Sequence, residues 1–472
     1  MMRRLPGLIA LAALAACSLE PNFQRPDPAI PQSWPVGDAY LKNSEAGLPI
    51  VSYRDIFHDP KLQAIIERAL ANNQDLALAA ANIAAARAQY HVDRAALLPQ
   101  IDASAGVRVS DGNSRTTTNT GTGTTVTTGG GAQSSYNLDV GLTSFEIDLF
   151  GRLRSLSHAA FAQYLGSEAA ARATRLTLIA EVAEAYLTAA SDRSLLAIAV
   201  DTERSAGKSV ELTHARLKGG VAPRTELRQA ETVLDQARAD HALQITAVSQ
   251  DRNALELLVG ARVADAELPA SIESVDGLLG ELPAGLDSTV LLRRPDVVQA
   301  EYALRAANAR IGSARAAFFP RIALTAIAGL ASTALRSLFT GGAFTWQIGP
   351  SVTLPIFDGG ANKGNLDLAK AQRDAALAQY QKAIQTAFRE VADALARQGT
   401  IARQFDAQAD LAAGAQDNAN LQRARYQGGI DTYLASLDAE RTLYAARRAR
   451  AAVRLTRAAN LVALYRTLGG EG

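Results

Sequence analysis

Ala215-Arg216-Leu217-Lys218-Gly219-Gly220-Val221 returns 209 positions later, as Ala424-Arg425-Tyr426-Gln427-Gly428-Gly429-Ile430, in a chain of 472 residues. Glu181-Val182-Ala183-Glu184-Ala185 returns at the same offset as Glu390-Val391-Ala392-Asp393-Ala394, and Ala230-Glu231 as Ala439-Glu440. Further upstream, Ala96-Leu97-Leu98-Pro99-Gln100-Ile101 matches Ala317-Phe318-Phe319-Pro320-Arg321-Ile322 at an offset of 221. The low-complexity stretch 110–135, mostly Gly, Thr and Ser, absorbs the difference of 12 as an inserted loop. Chance similarity between alanine-rich helices does not keep one offset through a Gly-Gly break, so the chain reads as an internal duplication.

Each half reads helix, strand, loop, strand, long helix, break, helix. No proline falls between Arg152 and Leu217 or between Ala361 and Gln427. At 1.5 Å per residue each would run roughly 100 Å, far beyond a globular helix. Gly219-Gly220 and Gly428-Gly429 stand where a left-handed C-cap would end them. Shorter helices are expected over 61–98, 225–260, 295–319 and 432–468. Two short helices end to end match one long one, a geometry that suggests a cylinder wall. The boundaries expected are a signal peptide over 1–16, an extended N-terminal segment over 17–60, a first repeat over 61–287 and a second over 288–472.

The segments expected as strands, 100–110, 136–149, 321–331 and 344–356, alternate in character. Ile101, Ala103, Ala105, Val107 and Val109 share one face, and Gln100, Asp102, Ser104 and Arg108 the other. Tyr136, Leu138, Val140 and Leu142 oppose Asn137, Asp139 and Thr143, while Phe344, Trp346, Ile348, Val352, Leu354 and Ile356 oppose Thr345, Gln347, Ser351 and Thr353. This pattern fits a water-filled membrane barrel and equally a soluble β-domain with one wet face. Pro350 and Pro355 suggest a bulge or a strand end. In lipid, four strands cannot close a barrel, and open edges are not tolerated, so several chains would have to pool their strands.

Composition agrees with long helices. Hydrophobic residues make up 48% but aromatics only 6%. Much of the apolar content is alanine, which favours helix but buries little surface, and suits narrow seams better than a broad core. The net charge of +1 gives no field for nucleic acid or an acidic partner. After residue 17 nothing reaches the length and apolarity of a transmembrane helix. The single cysteine, Cys17, excludes an intrachain disulfide and any cysteine metal cluster. It follows Arg3-Arg4, an apolar run from Leu5 to Leu14, and Ala15-Ala16. That arrangement resembles a bacterial lipoprotein signal, with cleavage before Cys17, a covalent lipid on it, and Ser18 suggesting outer-membrane sorting. The alternative is an ordinary secretory signal whose cysteine is incidental.

Further motifs complete the reading. Arg54-Asp55-Ile56-Phe57-His58-Asp59-Pro60-Lys61-Leu62 is followed by Ala69-Leu70-Ala71-Asn72-Asn73-Gln74-Asp75-Leu76. Glu146-Ile147-Asp148-Leu149-Phe150-Gly151-Arg152 stands at the strand-to-helix junction. Arg293-Arg294-Pro295-Asp296-Val297 continues through Ala300-Glu301 to Phe319-Pro320, and Leu354-Pro355-Ile356-Phe357-Asp358-Gly359-Gly360 closes the set. Jointly these resemble the TolC family of outer-membrane efflux proteins, in its lipoprotein branch, over nearly the whole mature chain. The resemblance implies a mainly α fold with a membrane β-barrel. It implies a homotrimer with twelve strands in the membrane and twelve helical columns forming a periplasmic tunnel. It also implies a periplasmic adaptor and an inner-membrane RND-type transporter as partners. The departures are Phe145 where tryptophan is common, Glu226 for a common aspartate at the first tip, and Pro223 beside it.

No phosphate loop, metal-binding His pair or nucleophile elbow is present, and His58, His91, His158, His214 and His241 are scattered. The chain is therefore expected to be no enzyme and to need no cofactor beyond the lipid on Cys17. Leu434, Asp438 and Arg441 fall at i, i+4 and i+7, on one helix face. The resemblance turns that face into the lumen, where three Asp438 carboxylates and three Leu434 side chains would gate the narrow end. From the residues alone, Asp438 and Arg441 form a solvated i, i+3 pair. The turns Lys218, Gly219, Gly220, Val221, Ala222 and Gln427, Gly428, Gly429, Ile430, Asp431 are expected as adaptor-docking tips. The function expected is an exit duct for small molecules. The alternatives are a type I protein-secretion duct and a lipid-anchored coiled-coil scaffold without a pore.

Overall fold

A computed structural model describes residues 18–27, 52–120, 123–275, 277 and 288–469. Cys17 and the signal segment lie outside the described residues. The elements in chain order are α1 (Tyr53–Ile56), α2 (Pro60–Asn72), α3 (Gln74–Ala95), β1 (Asp102–Thr120), β2 (Gly123–Ile147), α4 (Arg152–Lys218), α5 (Arg224–Val259), α6 (Pro295–Ala316), β3 (Arg321–Ser332), β4 (Phe344–Thr353), α7 (Ala361–Gln427) and α8 (Tyr433–Thr467). Both long helices run as uninterrupted elements to the glycine pairs. The helix expected over 61–98 is instead two. The Asn73 side-chain oxygen accepts from the backbone N–H groups of Asp75 and Leu76, starting α3, while its own N–H closes α2 on Ala69. Serving as both stop and cap, Asn73 makes one pattern into two helices.

The chain divides into two compact units. One, formed by residues up to 25 with 84–165 and 302–377, holds a four-stranded antiparallel sheet in the order β1-β2-β3-β4. Its register carries the alternation seen in sequence across the whole sheet. Ala105, Leu138, Leu330 and Phe344 are successive partners, as are Ala103, Val140, Ala328 and Trp346. Paired residues point to the same face, so these rungs build one apolar surface. Ser104, Asp139, Gly329 and Thr345 form a rung of the other face. A bulge between Leu142 and Phe145 shifts the β2–β3 register. Pro350 sits within edge strand β4 opposite Leu324, where a missing N–H is tolerated, and β4 ends at Thr353, short of the expected residue 356. The low-complexity stretch expected as a loop extends the ladder instead, with Thr116 opposite Thr127 and Thr118 opposite Thr125. β-Branched threonines favour pairing even where the stretch lacks an apolar face.

The other unit comprises 26–83, 166–301 and 378–472. Its core is fuller than the composition suggests. Ile56, Phe57, Leu62, Ile65 and Ile66 pack with Ile179, Val182, Tyr186 and Leu187 of α4, Leu255 and Val259 of α5, and Val462 and Tyr465 of α8. Asp59, buried itself, caps α2 through Lys61 N–H and accepts the Tyr186 hydroxyl at 2.7 Å. Farther along, α7 and α8 meet in the narrow alanine seam expected, Ala412, Ala415 and Ala419 against Ala439, Leu443 and Ala446.

Candidate functional site

The two glycine turns close their hairpins identically. Gly220 (φ 76°) and Gly429 (φ 74°) occupy the left-handed position. Val221 N–H donates to the Arg216 carbonyl at 3.0 Å and Ile430 N–H to that of Arg425 at 2.9 Å, the longer bond of a Schellman cap. Val221 and Ile430 remain exposed beyond each cap. Both turns thus present a short apolar tip on a backbone that only glycine adopts without strain.

Below the caps the hairpins differ. Tyr426 stands where the first repeat has Leu217, and Tyr433 where it has Arg224. The two rings lie 5.4 Å apart, both buried, in a cluster with Ala230 and Leu437. Residues of the first hairpin hold Tyr426. Its hydroxyl reaches Glu226 at 3.4 Å and lies 3.5 Å from Thr213 Oγ1, and Arg216 donates to its carbonyl. Burial, reinforced by negative charge around it, pushes the Tyr433 phenol up to about 12. Arg423 pairs with Glu440 and Arg425 with Asp431, and the Tyr444 hydroxyl donates to Asp240 of α5 at 2.9 Å.

Leu434, Asp438 and Arg441 lie together on the exposed face of α8, opposite the buried Tyr433, Leu437 and Leu443. Leu434 is 55% exposed, a large apolar residue left open beside a charged pair. Among the described residues neither Asp438 nor Arg441 forms an ion pair, so the solvated i, i+3 pair is not made. Leu434 and Arg441 border a groove shared with Arg228, Thr232 and Gln236 of α5. At the 209 offset the first repeat carries Thr225, Gln229 and Thr232 in place of these three residues, so this charged and apolar face belongs to the second hairpin alone.

Sequence reasoning singled out the exposed face and both turns. It passed over Tyr426, Tyr433, Arg216 and Thr213 and noted Glu226 only as a departure. The signal was in the duplication itself, since Tyr426 and Tyr433 are places where the repeats disagree. No helix among the described residues is long and apolar enough to cross a membrane.

The profile of the outer membrane efflux protein family matches residues 65–261 and 286–470. The chain belongs to that family. It is 42% identical to the probable efflux pump outer membrane protein TtgC of Pseudomonas putida, over 98% of this chain and 95% of that one. It is 40% identical to the outer membrane protein OprJ of Pseudomonas aeruginosa, over 98% and 94%. The solved open-state MtrE outer membrane channel of Neisseria gonorrhoeae superposes with a TM-score of 0.83 at 36% identity, covering 96% of this chain and 98% of that one. The protein is an outer-membrane efflux channel component, and its fold of long helices with a small sheet is the fold of such channels.

Proposed function

We propose that three copies of the chain form the exit duct of a tripartite pump, closed at its far end by the exposed face of α8. The single observation behind the gate is that face: Leu434, Asp438 and Arg441 lie solvent-exposed together at the second tip, with no counterpart in the first. Each chain supplies four strands with one apolar face and two open edges, and three chains give the twelve that a closed barrel in lipid can use. The apolar rungs meet lipid and the polar rungs line water. At the tip, three Asp438 carboxylates gather into an anionic ring above three Leu434 side chains, and Arg441 lies one turn deeper. The glycine-capped tips at Lys218–Ala222 and Gln427–Asp431 receive a periplasmic adaptor, and an inner-membrane RND-type transporter supplies the energy.

Relatives are named for efflux of toluene, solvents and antibiotics. Small, largely apolar compounds are accordingly the proposed cargo, carried without catalysis or a cofactor. A lipid on Cys17 anchors the chain. The deciding experiment is planar-bilayer conductance of the purified trimer. Leu434→Ala with Asp438→Ala should raise single-channel conductance and weaken cation preference while the heat-sensitive trimer persists. Unchanged conductance and selectivity would return these residues to a wet helix surface.

A further inference from the structure

Between α5 and α8, the helices that leave the two glycine turns, lies a groove of about 660 Å³. That volume falls in the range of small-molecule sites, roughly 300–1,000 Å³. Its apolar lining comes from both hairpins: Ala237 and Leu437 are buried, Val233 is half-buried and Leu434 is exposed. At its upper end the Tyr444 hydroxyl donates to Asp240 at 2.9 Å and joins the two helices. All of these residues belong to one compact unit of a single chain.

Four charged residues line the groove, Arg228, Asp240, Glu440 and Arg441, and three of them are already answered. Asp240 accepts from Tyr444 and, at 2.9 Å, from Gln236 Nε2. Glu440 accepts from Arg423 of α7, and Arg228 pairs with Glu231 at 2.6 Å. Among the described residues the guanidinium of Arg441 has no partner. Asp438 shares the exposed face with it but does not line the groove. The charge left over is therefore positive, and it stands beside an apolar wall. A guanidinium takes a carboxylate or sulfonate through two parallel hydrogen bonds. Leu434 and Arg441 lie seven residues apart, about 10 Å along the helix, a span that suits a two-ring aromatic acid.

We infer that this groove is a binding site for small amphipathic organic anions. The anionic end pairs with Arg441, and the apolar body lies against Leu434, Leu437 and Val233. The site goes beyond passage through the duct, because the compound is held at the tip, and it requires neither a closed gate nor an adaptor. An occupant touches α5 of the first hairpin and α8 of the second at once, beside the Tyr444–Asp240 bond. It therefore favours the spacing of the hairpins at which the groove has this width.

Protection of a single cysteine from alkylation tests this in the full-length trimer held in lipid nanodiscs. Thr232→Cys places the thiol in the groove, and Asp235→Cys places one on α5 outside it. N-ethylmaleimide is the reagent, and the mass of the labelled peptide separates either site from Cys17. The probe is 2-naphthoate, compared with the uncharged 2-naphthylmethanol and the cationic 2-naphthylmethylamine. Naphthoate should slow alkylation at 232 and leave the rate at 235 unchanged. The alcohol should need roughly tenfold more for equal protection, the scale of a lost hydrogen bond to a charged group, and the amine should give none. Arg441→Gln should weaken protection by naphthoate by a similar factor and leave protection by the alcohol as it was. Equal slowing at 232 and 235, protection by the amine as strong as by the acid, or protection indifferent to Arg441→Gln would overturn the site. A thiol at 232 that never reacts in the trimer would mean that a second copy of the chain covers the groove, and would overturn it as well.

Discussion

Arg216 grips Tyr426 at two points: Nη1 donates to the tyrosine's carbonyl oxygen at 3.1 Å, and its charge lies 4.8 Å from the centroid of the tyrosine's ring. That carbonyl also accepts Gly429 N–H, the inner bond of the second cap. One side chain of the first hairpin thus holds both the aromatic packing and the turn of the second. Arg216→Ala should release roughly 1–2 kcal/mol of cation–π and hydrogen-bond stabilisation. The expected outcome is a higher open fraction in bilayer recordings with the thermal stability of the trimer nearly unchanged. Wild-type gating would show that the hairpins are held elsewhere.

Tyr186 is a contrasting case, because its hydroxyl serves the core. Burial and the Asp59 hydrogen bond both raise the phenol's pKa, keeping it a donor. Tyr186→Phe leaves a buried carboxylate short of one partner, at about 1–3 kcal/mol. Denaturant unfolding should shift by that amount, while conductance of the assembled channel stays at the wild-type value.

Asp192 of α4 and Asp251 of α5 are close enough to share a hydrogen bond. Burial pushes the Asp251 carboxyl up to about 6, with Asp192 reinforcing the shift, and burial raises Asp192 as well. A carboxyl raised above its unfolded value binds its proton more tightly in the folded state. Its stabilisation is full below the unfolded value near 4 and is lost as pH climbs through 6. Asp251→Asn should accordingly raise the thermal midpoint at pH 7 and leave it little changed at pH 4. An equal gain at both pH values would mean that the pair does not share a proton.

Gly329 gives a test of the sheet. A side chain there would run into Asp139 and the Leu138 carbonyl. Gly329→Leu should prevent β2 and β3 from pairing, read as loss of the heat-sensitive trimer on gels of outer-membrane fractions. Trimer at wild-type levels would mean that the strands can part at this rung without cost.

Much of this architecture was legible because it rests on period and punctuation. The glycine pairs marked the ends of α4 and α7, and the parity of Leu138, Leu330 and Trp346 survives as one face of the sheet. What was not legible depends on partners distant in sequence. The β1–β2 ladder continues through a Gly-Thr-Ser stretch because each strand supplies the other's hydrogen bonds, which no hydrophobic pattern announces. Asn73 reads as one polar residue in a helical run until its oxygen is seen capping the next helix. Leu434, Asp438 and Arg441 could be placed on one face from spacing alone. The clasp on Tyr426 joins residues about 200 positions apart and needed the fold to be seen.

The polar side of the sheet carries a consequence for flow. Its rungs read Ser104, Asp139, Gly329 and Thr345, then Asp102, Gly141, Ile327 and Gln347, with Thr325 opposite Gly349 and Ala323 opposite Ser351. Most of these side chains end at a hydrogen, a methyl or a hydroxyl, so the bore they would line is drawn by backbone. A throat of that kind offers bulky cargo little friction and few handles for discrimination. Under the proposed gate, throughput would then be metered at Leu434 and Asp438, and the polar rungs could exchange one small side chain for another without slowing traffic.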